Sequence, residues 1–254
     1  MEETRVATRA AEKAGIFLAK HFKKLHVVSE KSPREFVTEA DKEAEKIIIE
    51  YLKKKYPDYA ILSEESGASG EGRYRWVIDP LDGTINYMLG IPFFDVAISL
   101  VLKDKPLISV VYAPITNDMY VSELFQGAKL NGKRIHVSEQ SSIEHAISTF
   151  CHSTTPKEIN RNIEIYSKMK KISAVFNQPR AGNLEMAMIA SGKLDAFMNN
   201  GAKTWDTVCG ALLIREAGGI VTDFQGSQWT MKSKDVLATN RYLHNKIIAT
   251  IKDV

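Results

Sequence analysis

Two aspartates stand three positions apart at the end of an apolar run, in the segment RWVIDPLDGTINYM (residues 75–88). The proline between them favours an extended conformation at Asp79, and the residues that follow, through Gly83, are typical of a turn that leads into a helix near Thr84. This arrangement predicts that the carboxylates of Asp79 and Asp82 converge above the end of a strand, beside the amides of Gly83 and Thr84. Two hard anions next to such amides favour a divalent cation that holds a phosphate group.

Further acids occur in comparable settings. The stretch AILSEESG places Glu64 and Glu65 after another apolar strand, and KTWDTVCGALLIREAGG places Asp206 at the start of a helix. Asp41 follows Thr38 by three positions in FVTEADKEAEK. Each acid also has an ordinary structural explanation: a solvated glutamate pair, an N-cap aspartate and a capping box, respectively. Together they favour a metal site.

The elements that must position these acids change character along the chain. The periodicity predicts a helix over residues 38–56 and strands over 59–62 and 75–78. Strands and turns then dominate up to residue 137, which predicts an antiparallel sheet. From about residue 140 strands alternate with helices, predicted near 157–171, 183–191, 206–217 and the chain end, which is typical of a layered α/β unit. We therefore expect an α/β protein with two packed halves, residues 1–140 and 141–254.

Composition limits the class of protein. The chain has 254 residues, 44% of them hydrophobic and 26% charged, which is ordinary for a globular protein. No apolar run approaches the ~20 residues that span a bilayer, and the amino-terminal segment does not resemble a signal peptide. Cys151 and Cys209 match no zinc or redox spacing. The net charge of +3 is small. We therefore expect a cytoplasmic protein with neither a membrane nor a nucleic-acid partner.

Three separated motifs resemble one family. EES, WVIDPLDGTINY and WDTVCGALLIREAGGIVTDF, in this order within residues 34–226, are similar to the inositol monophosphatase family of magnesium-dependent phosphatases. The resemblance implies a five-layer α/β/α/β/α sandwich, with an antiparallel-rich sheet in the first half and a mixed sheet in the second, and a homodimer. It also implies a set of metal ligands: Glu64, Asp79, Asp82, Asp206 and the backbone carbonyl of Leu81.

The same resemblance implies a division of roles between two Mg²⁺ ions. One ion, at Glu64, Asp79 and Leu81, lowers the pKa of a water that attacks phosphorus directly. Glu64 and Thr84 place and deprotonate that water, and Asp41 orients Thr84. The second ion stabilises the departing alkoxide; its ligands are Asp79, Asp82 and Asp206.

Other positions complete the implied site. The amides of Gly83 and Thr84 bind the phosphate oxygens. Glu65 and Lys31 are expected beside a third, looser metal site, although the alignment at Lys31 has a gap of one residue.

Residues expected to contact the substrate depart from the family pattern in two places. Asn199 stands where inositol-cleaving members often carry a glutamate, and Arg180 stands at a glycine position, where it could contact a second phosphate. Asp206 is a further expected contact. The compact length favours inositol 1-phosphate as substrate, with fructose 1,6-bisphosphate as a second one. The expected partner is therefore a small phosphorylated polyol or sugar.

Three alternatives stay open. The chain could be a phosphatase of this family that acts on another metabolite, such as histidinol phosphate, an adenosine bisphosphate or NADP. It could be a regulatory or interaction protein that keeps the fold without catalysis. A haloacid dehalogenase-type phosphatase is disfavoured, because its two aspartates are spaced by two positions without an intervening proline.

Overall fold

The computed structural model describes residues 1–24, 28–32, 35–151, 155–173 and 175–253. The first half of the chain begins with two helices and continues largely as strands. Its elements are α1 (Glu2–His21), β1 (Val28–Ser32), β2 (Glu35–Thr38), α2 (Glu39–Lys55), β3 (Ala60–Ser63), β4 (Gly67–Ser69), β5 (Tyr74–Asp82), α3 (Thr84–Leu89), β6 (Asp95–Leu102), β7 (Lys105–Ala113), β8 (Asp118–Glu123), β9 (Gly127–Leu130) and β10 (Lys133–Arg134).

The second half alternates strands and helices, as the sequence predicts. Its elements are β11 (Ile147–Phe150), α4 (Pro156–Ile172), β12 (Val175–Asn177), α5 (Gly182–Ala190), β13 (Ala196–Asn200), α6 (Val208–Glu216), β14 (Ile220–Thr222), β15 (Asp235–Thr239) and α7 (His244–Ile251). No helix in these described ranges is both long and apolar enough to cross a membrane.

Two large sheets form the framework. The first has eight strands in the order β10-β9-β8-β7-β6-β5-β3-β4, in which only the β3–β5 pair is parallel. The second has five strands in the order β12-β11-β13-β15-β14, with parallel pairs around β11 and antiparallel pairs around β15. The predictions of an antiparallel-rich sheet and a mixed sheet are confirmed.

Three apolar clusters show how helices cover the sheets. Leu18 of α1 and Ile48 of α2 pack with Trp76 on the outer face of the first sheet. A central cluster contains residues of α5 and α6 together with residues of both sheets. A third places α4 and α7 on the far face of the second sheet. The layers are therefore helix, sheet, helix, sheet, helix, which confirms the predicted five-layer sandwich.

Side-chain alternation along β5 directs its acid toward the middle layer. Trp76 and Ile78 belong to the outer cluster, whereas Val77 belongs to the central one. Because successive side chains in a strand point to opposite faces, Asp79 lies on the Val77 face, toward α5 and α6.

The end of β5 differs from the prediction. We expected the strand to end at Asp79 and a turn to follow, but pairing with β6 continues to Asp82. Asp79 pairs with Ala97 and Asp82 with Asp95, so one extra residue is accommodated in β5 as a bulge. A bulge suits Pro80, because proline has no N–H to give to the ladder.

The division of the chain at residue 140 stays a prediction. The last strand of the first sheet ends at Arg134, and the second sheet begins at Ile147.

Candidate active site

Glu64 and Asp79 lie at the same edge of the first sheet. Strands β3 and β5 are parallel neighbours, so their carboxyl ends meet there. Glu64 is in the turn after β3, where its N–H donates to the Ile78 carbonyl at 3.2 Å. Asp79 is 2% exposed, and Asp82 follows it across the bulge.

Asp206 comes to this edge from the second half of the chain. It lies in the turn before α6, whose N-cap residue is Thr207, so the expected helix start is displaced by two residues. Its Oδ2 accepts a hydrogen bond from the Lys203 N–H at 2.8 Å. The negative charge of Asp206 is among the causes that raise the pKa of Asp79, which places the two carboxylates within electrostatic range.

Asp41 performs two tasks with its two oxygens. Oδ2 accepts hydrogen bonds from the N–H and hydroxyl of Thr38, at 2.8 and 2.6 Å, and so completes the capping box of α2. Oδ1 accepts a hydrogen bond from the Thr84 hydroxyl at 3.0 Å. The structure therefore joins Asp41 and Thr84 as expected, and the ordinary capping explanation is correct as well. The Thr84 hydroxyl also lies 3.1 Å from the Leu81 carbonyl oxygen.

Burial and mutual repulsion raise the pKa values of the acids Asp79, Asp82 and Asp206 at this edge. Burial raises the pKa of Asp82 to about 6, and the charge of Glu64 adds to the rise. The hydrogen bond from the Asn183 N–H opposes it, because it stabilises the charged form. Burial and then the charge of Glu64 raise the pKa of Asp206 to about 8. Burial, followed by the charges of Glu64, Asp82 and Asp206, raises the pKa of Asp79 well above its usual range. Such a cluster is stabilised by a nearby cation.

Asp41 shows the same tendency more weakly. Burial raises its pKa, and the charge of Glu64 adds to that rise, while the hydrogen bonds from Thr38 and Thr84 oppose it.

Asp95 is a buried acid that the sequence analysis did not select. It is fully buried and stands opposite Asp82 across the β5–β6 pair. Its carboxyl lies against the Asp82 carboxyl and the Leu184 N–H, and both contacts affect its pKa. Burial, followed by the charge of Asp82, raises its pKa well above the usual range. The signal was available, because Asp95 is the one acid in the apolar run FFDVAISLVL.

Asn183 was also missed, because the run GNLEMAMIA reads as a plain helix. Its backbone N–H donates to Asp82 Oδ2 at 2.6 Å. Its Nδ2 donates to the Trp205 carbonyl at 3.0 Å and lies 3.4 Å from Asp79 Oδ2. No periodicity predicts these contacts, since they depend on how α5 docks between the sheets.

Gly83 connects the strand to α3 in a conformation that requires glycine. Its φ is 87°, and an added Cβ would lie 2.9 Å from the Phe93 carbonyl oxygen and 3.2 Å from the Ala181 Cβ. The Gly83–Thr84 amides are therefore held at the acidic edge by close packing, and their expected contact with phosphate stays a prediction.

Arg180 adopts a backbone conformation that glycine prefers. Its φ is 68°, in agreement with its place at a family glycine position. The next residue, Ala181, is the N-cap of α5, and its N–H donates to the buried carboxyl of Glu185 at 3.0 Å. Arg180 therefore lies directly before the helix whose first turn contacts Asp82, and its role toward a second phosphate stays a prediction.

Asn199 lies inside the protein on the side of the second sheet that faces the acidic edge. It is 3% exposed, and it pairs across β13–β15 with Val236, a member of the central cluster. Its Oδ1 has no hydrogen-bond partner within the described ranges. Its contact with substrate stays a prediction.

The third-metal residues are only partly described. The Glu65 N–H donates to Glu45 Oε1 at 3.2 Å, which fixes the turn that follows β3. Lys31 is in β1, but its side chain lies outside the described part of the structure.

The donor set fits a hard divalent cation, although the side chains are not gathered around one point. Carboxylate and carbonyl oxygens are the ligands that Mg²⁺ prefers. The buried carboxyl of Asp95 stands beside Asp82 and adds to the acidic groups at this edge. Yet across the described residues no three His, Cys, Asp or Glu side chains are grouped so that they could hold an ion as they stand. Asp82 and Asp206 each accept a hydrogen bond from a backbone N–H.

The comparison with protein families decides the classification. The model of the inositol monophosphatase family matches residues 1–254. The chain belongs to the inositol monophosphatase family. Solved structures agree: SuhB of Bartonella henselae, named an extragenic suppressor protein, superposes with a TM-score of 0.95 at 32% identity, over 99% of each chain. A Thermotoga maritima IMPase has a TM-score of 0.93 at 29% identity, over 100% of this chain and 98% of its own.

Two curated relatives of this chain are named as Nus factors and not as phosphatases. Nus factor SuhB of Escherichia coli is 36% identical over 98% of this chain and 95% of its own length. Nus factor SuhB of Pseudomonas aeruginosa is 37% identical over 97% and 94%, respectively. These names favour the alternative of a regulatory or interaction protein over hydrolysis of inositol 1-phosphate.

The same names correct the expected partners. The sequence predicts a small-molecule substrate and no nucleic-acid partner, whereas these relatives carry the name Nus factor. The prediction that nucleic acid is not a partner is wrong. It depended on a net charge of +3, which reports on direct electrostatic attraction and not on membership of a larger assembly. The homodimer implied by the resemblance is not tested by a single chain.

Proposed function

We propose that this chain hydrolyses phosphate monoesters of small polyols or sugars and uses Mg²⁺ as its cofactor. The observation that carries the proposal is the group of acids Glu64, Asp79, Asp82 and Asp206 at one sheet edge, where the charges of the other three raise the pKa of Asp79. Structural ion pairs lower carboxyl pKa values, whereas this cluster does the reverse. Such a cluster is typical of a site that waits for a cation.

The proposed cofactor positions follow the donor set. Glu64, Asp79 and the Leu81 carbonyl would hold one Mg²⁺, and Asp79, Asp82 and Asp206 would hold another. When bound, Mg²⁺ supplies charge neutralisation for the phosphoryl group and Lewis-acid activation of the oxygens that attack and leave.

The chain itself provides a route for a proton. The Thr84 hydroxyl has one hydrogen and two acceptors within reach, Asp41 Oδ1 at 3.0 Å and the Leu81 carbonyl at 3.1 Å. When that hydrogen points to Asp41, the lone pairs of Thr84 are free to accept a proton from a water. Burial raises the pKa of Asp41, so this carboxyl is suited to hold the proton. We assign Thr84 and Asp41 to this relay.

Substrate recognition is proposed at the other side of the bulge. The amides of Gly83 and Thr84 would hold phosphate oxygens, and Arg180, at the start of α5, would contact a second phosphate of a bisphosphate. Asn199 offers an amide to a substrate hydroxyl, which is a weaker contact than a charged group makes. This choice of residues supports a broad substrate range, with inositol 1-phosphate and fructose 1,6-bisphosphate the first to test.

Phosphate release tests the proposal. The substrates are these two together with histidinol phosphate, an adenosine bisphosphate and NADP, each with Mg²⁺ and with EDTA. We expect release that requires Mg²⁺ and that Asp82→Asn abolishes. The matched control is Asp195→Asn, which changes a buried aspartate bonded to Ser138 and Ile147, away from the acidic edge. No release from any of the five substrates would refute the hydrolase function.

The names of the curated relatives support a second function. We propose that the chain also acts as a Nus-type factor in transcription, as those relatives are named. The test is a reconstituted transcription reaction with the wild type and Asp82→Asn. We expect both proteins to change elongation equally, because partner binding uses surfaces other than the buried acids. No effect of the wild type would refute this role. We further propose a cytoplasmic location, which is supported by the low cysteine content, two in 254 residues, and by the lack of a redox or zinc spacing between Cys151 and Cys209.

A further inference from the structure

Asn183 of α5 joins the two segments that carry Asp79, Asp82 and Asp206. Its backbone N–H reaches Asp82 Oδ2 at 2.6 Å, and its side-chain Nδ2 reaches the Trp205 carbonyl at 3.0 Å. The same Nδ2 lies 3.4 Å from Asp79 Oδ2. One fully buried residue of α5 therefore contacts the bulged end of β5 and the turn that carries Asp206. The first sheet and the second half of the chain meet at this side chain.

The orientation of the Asn183 amide is fixed by its surroundings. The Trp205 carbonyl lies on the Nδ2 side and can only accept a hydrogen bond. A flipped amide would place its oxygen against this acceptor. Oδ1 must therefore point the other way, where it has no partner within the described residues. A buried acceptor without a donor is costly, which indicates that a bound species brings the donor.

We propose that Asn183 is a positioning residue whose side chain sets the placement of Asp79 and of the turn that carries Asp206 for a divalent cation. This inference rests on the proposed function and adds a residue to it. The amide is suited to the task because it is neutral: it donates to the acids without neutralising them. Its free Oδ1 would accept from the waters that Mg²⁺ commonly keeps when it binds to a protein.

Other side chains could not replace it. Alanine removes both the donor to Trp205 and the acceptor, and it leaves the turn before Asp206 without its anchor. An aspartate would place a further negative charge beside a carbonyl and Asp79. The helix start itself does not need an asparagine here, because the N-cap of α5 is Ala181 and its N–H is satisfied by Glu185. The side-chain contacts of Asn183 therefore serve the acidic edge, whereas its backbone N–H, in the first turn of α5, can donate to Asp82 without the amide side chain.

Thermal unfolding across a Mg²⁺ titration tests the inference, because it measures binding without turnover. The variants are Asn183→Ala and Asn183→Leu, the second of which keeps most of the side-chain volume. The control is Asn240→Ala, since Asn240 is also fully buried and makes four hydrogen bonds, all to residues outside the acidic edge. Groups that orient metal ligands typically contribute 10–100-fold to metal affinity.

We expect both Asn183 variants to need about 10–100-fold more Mg²⁺ than the wild type for the same rise in melting temperature. Asn240→Ala should melt earlier without Mg²⁺ but respond at the wild-type Mg²⁺ concentration. If either Asn183 variant folds and responds at the wild-type concentration, the positioning role is wrong. If the wild type shows no response to Mg²⁺, the proposed cofactor fails instead, so the two failures are distinct. An unfolded alanine variant leaves the leucine variant to decide.

Discussion

Removal of one acidic charge should stabilise the protein when Mg²⁺ is absent. Burial and repulsion raise the pKa of Asp82 from an ordinary 3.8 to about 6. Between these two values the folded protein holds a proton that the unfolded chain has released, so the folded state loses stability as pH rises through about 6. At pH 8 the whole of this loss is present. Asp82→Asn removes the ionisable group, and the new amide oxygen can still accept the Asn183 N–H.

The size of the effect follows from the same two values. The interval between them corresponds to about 3 kcal/mol at 1.36 kcal/mol per pH unit. Asp82 is partly exposed, and its neighbours can turn away, so we expect a gain of about 1–3 kcal/mol. For a chain of this size each kcal/mol changes the melting temperature by about 2–4 °C.

Thermal unfolding at pH 8 and at pH 5, both in EDTA, measures this gain. We expect Asp82→Asn to melt higher than the wild type at pH 8 and to lose about half of that advantage at pH 5. Asp195→Asn, a buried aspartate that accepts hydrogen bonds from Ser138 and Ile147, should gain nothing. A lower or unchanged melting temperature for Asp82→Asn at pH 8 would show that the acids do not repel one another in the folded protein.

Substitutions at three other positions test separate parts of the site. Gly83→Ala places a Cβ 2.9 Å from the Phe93 carbonyl at a φ of 87°, so it should cost at least about 2 kcal/mol of unfolding free energy; an unchanged denaturation midpoint would contradict this. Arg180→Gly relieves a φ of 68° and should add about 1 kcal/mol while it lowers turnover of fructose 1,6-bisphosphate relative to inositol 1-phosphate. Thr84→Val should lower kcat about 10²–10⁴-fold with Mg²⁺ affinity retained, and Thr84→Ser should keep kcat near the wild type. Equal rates for the valine and serine variants would exclude the relay.

Local patterns predicted the elements well because each is specified by nearby residues. The capping box of Thr38 and Asp41 marks the start of α2 in both sequence and structure. The same local logic could not choose between two explanations of Asp41. The structure shows both, since one carboxylate oxygen caps the helix and the other reaches Thr84, which is 43 positions away.

Residues whose importance depends on docking were not predictable. Asn183 gains its contacts only when α5 packs between two sheets, and helical periodicity contains no information about that partner. Asp95 lies opposite Asp82 because of strand register, which the bulge at Pro80 alters. The partner prediction failed for a related reason, because net charge averages over the surface and says nothing about which assembly a protein joins.

Acids from distant parts of the chain should bind paired divalent ions at one sheet edge. A crystal structure of the protein with Mn²⁺, with anomalous scattering data, would show the ions themselves. We predict two peaks within bonding distance of Glu64, Asp79, Asp82 and Asp206, with Asn183 unmoved. A map without peaks at this edge, at a Mn²⁺ concentration that supports turnover, would contradict it.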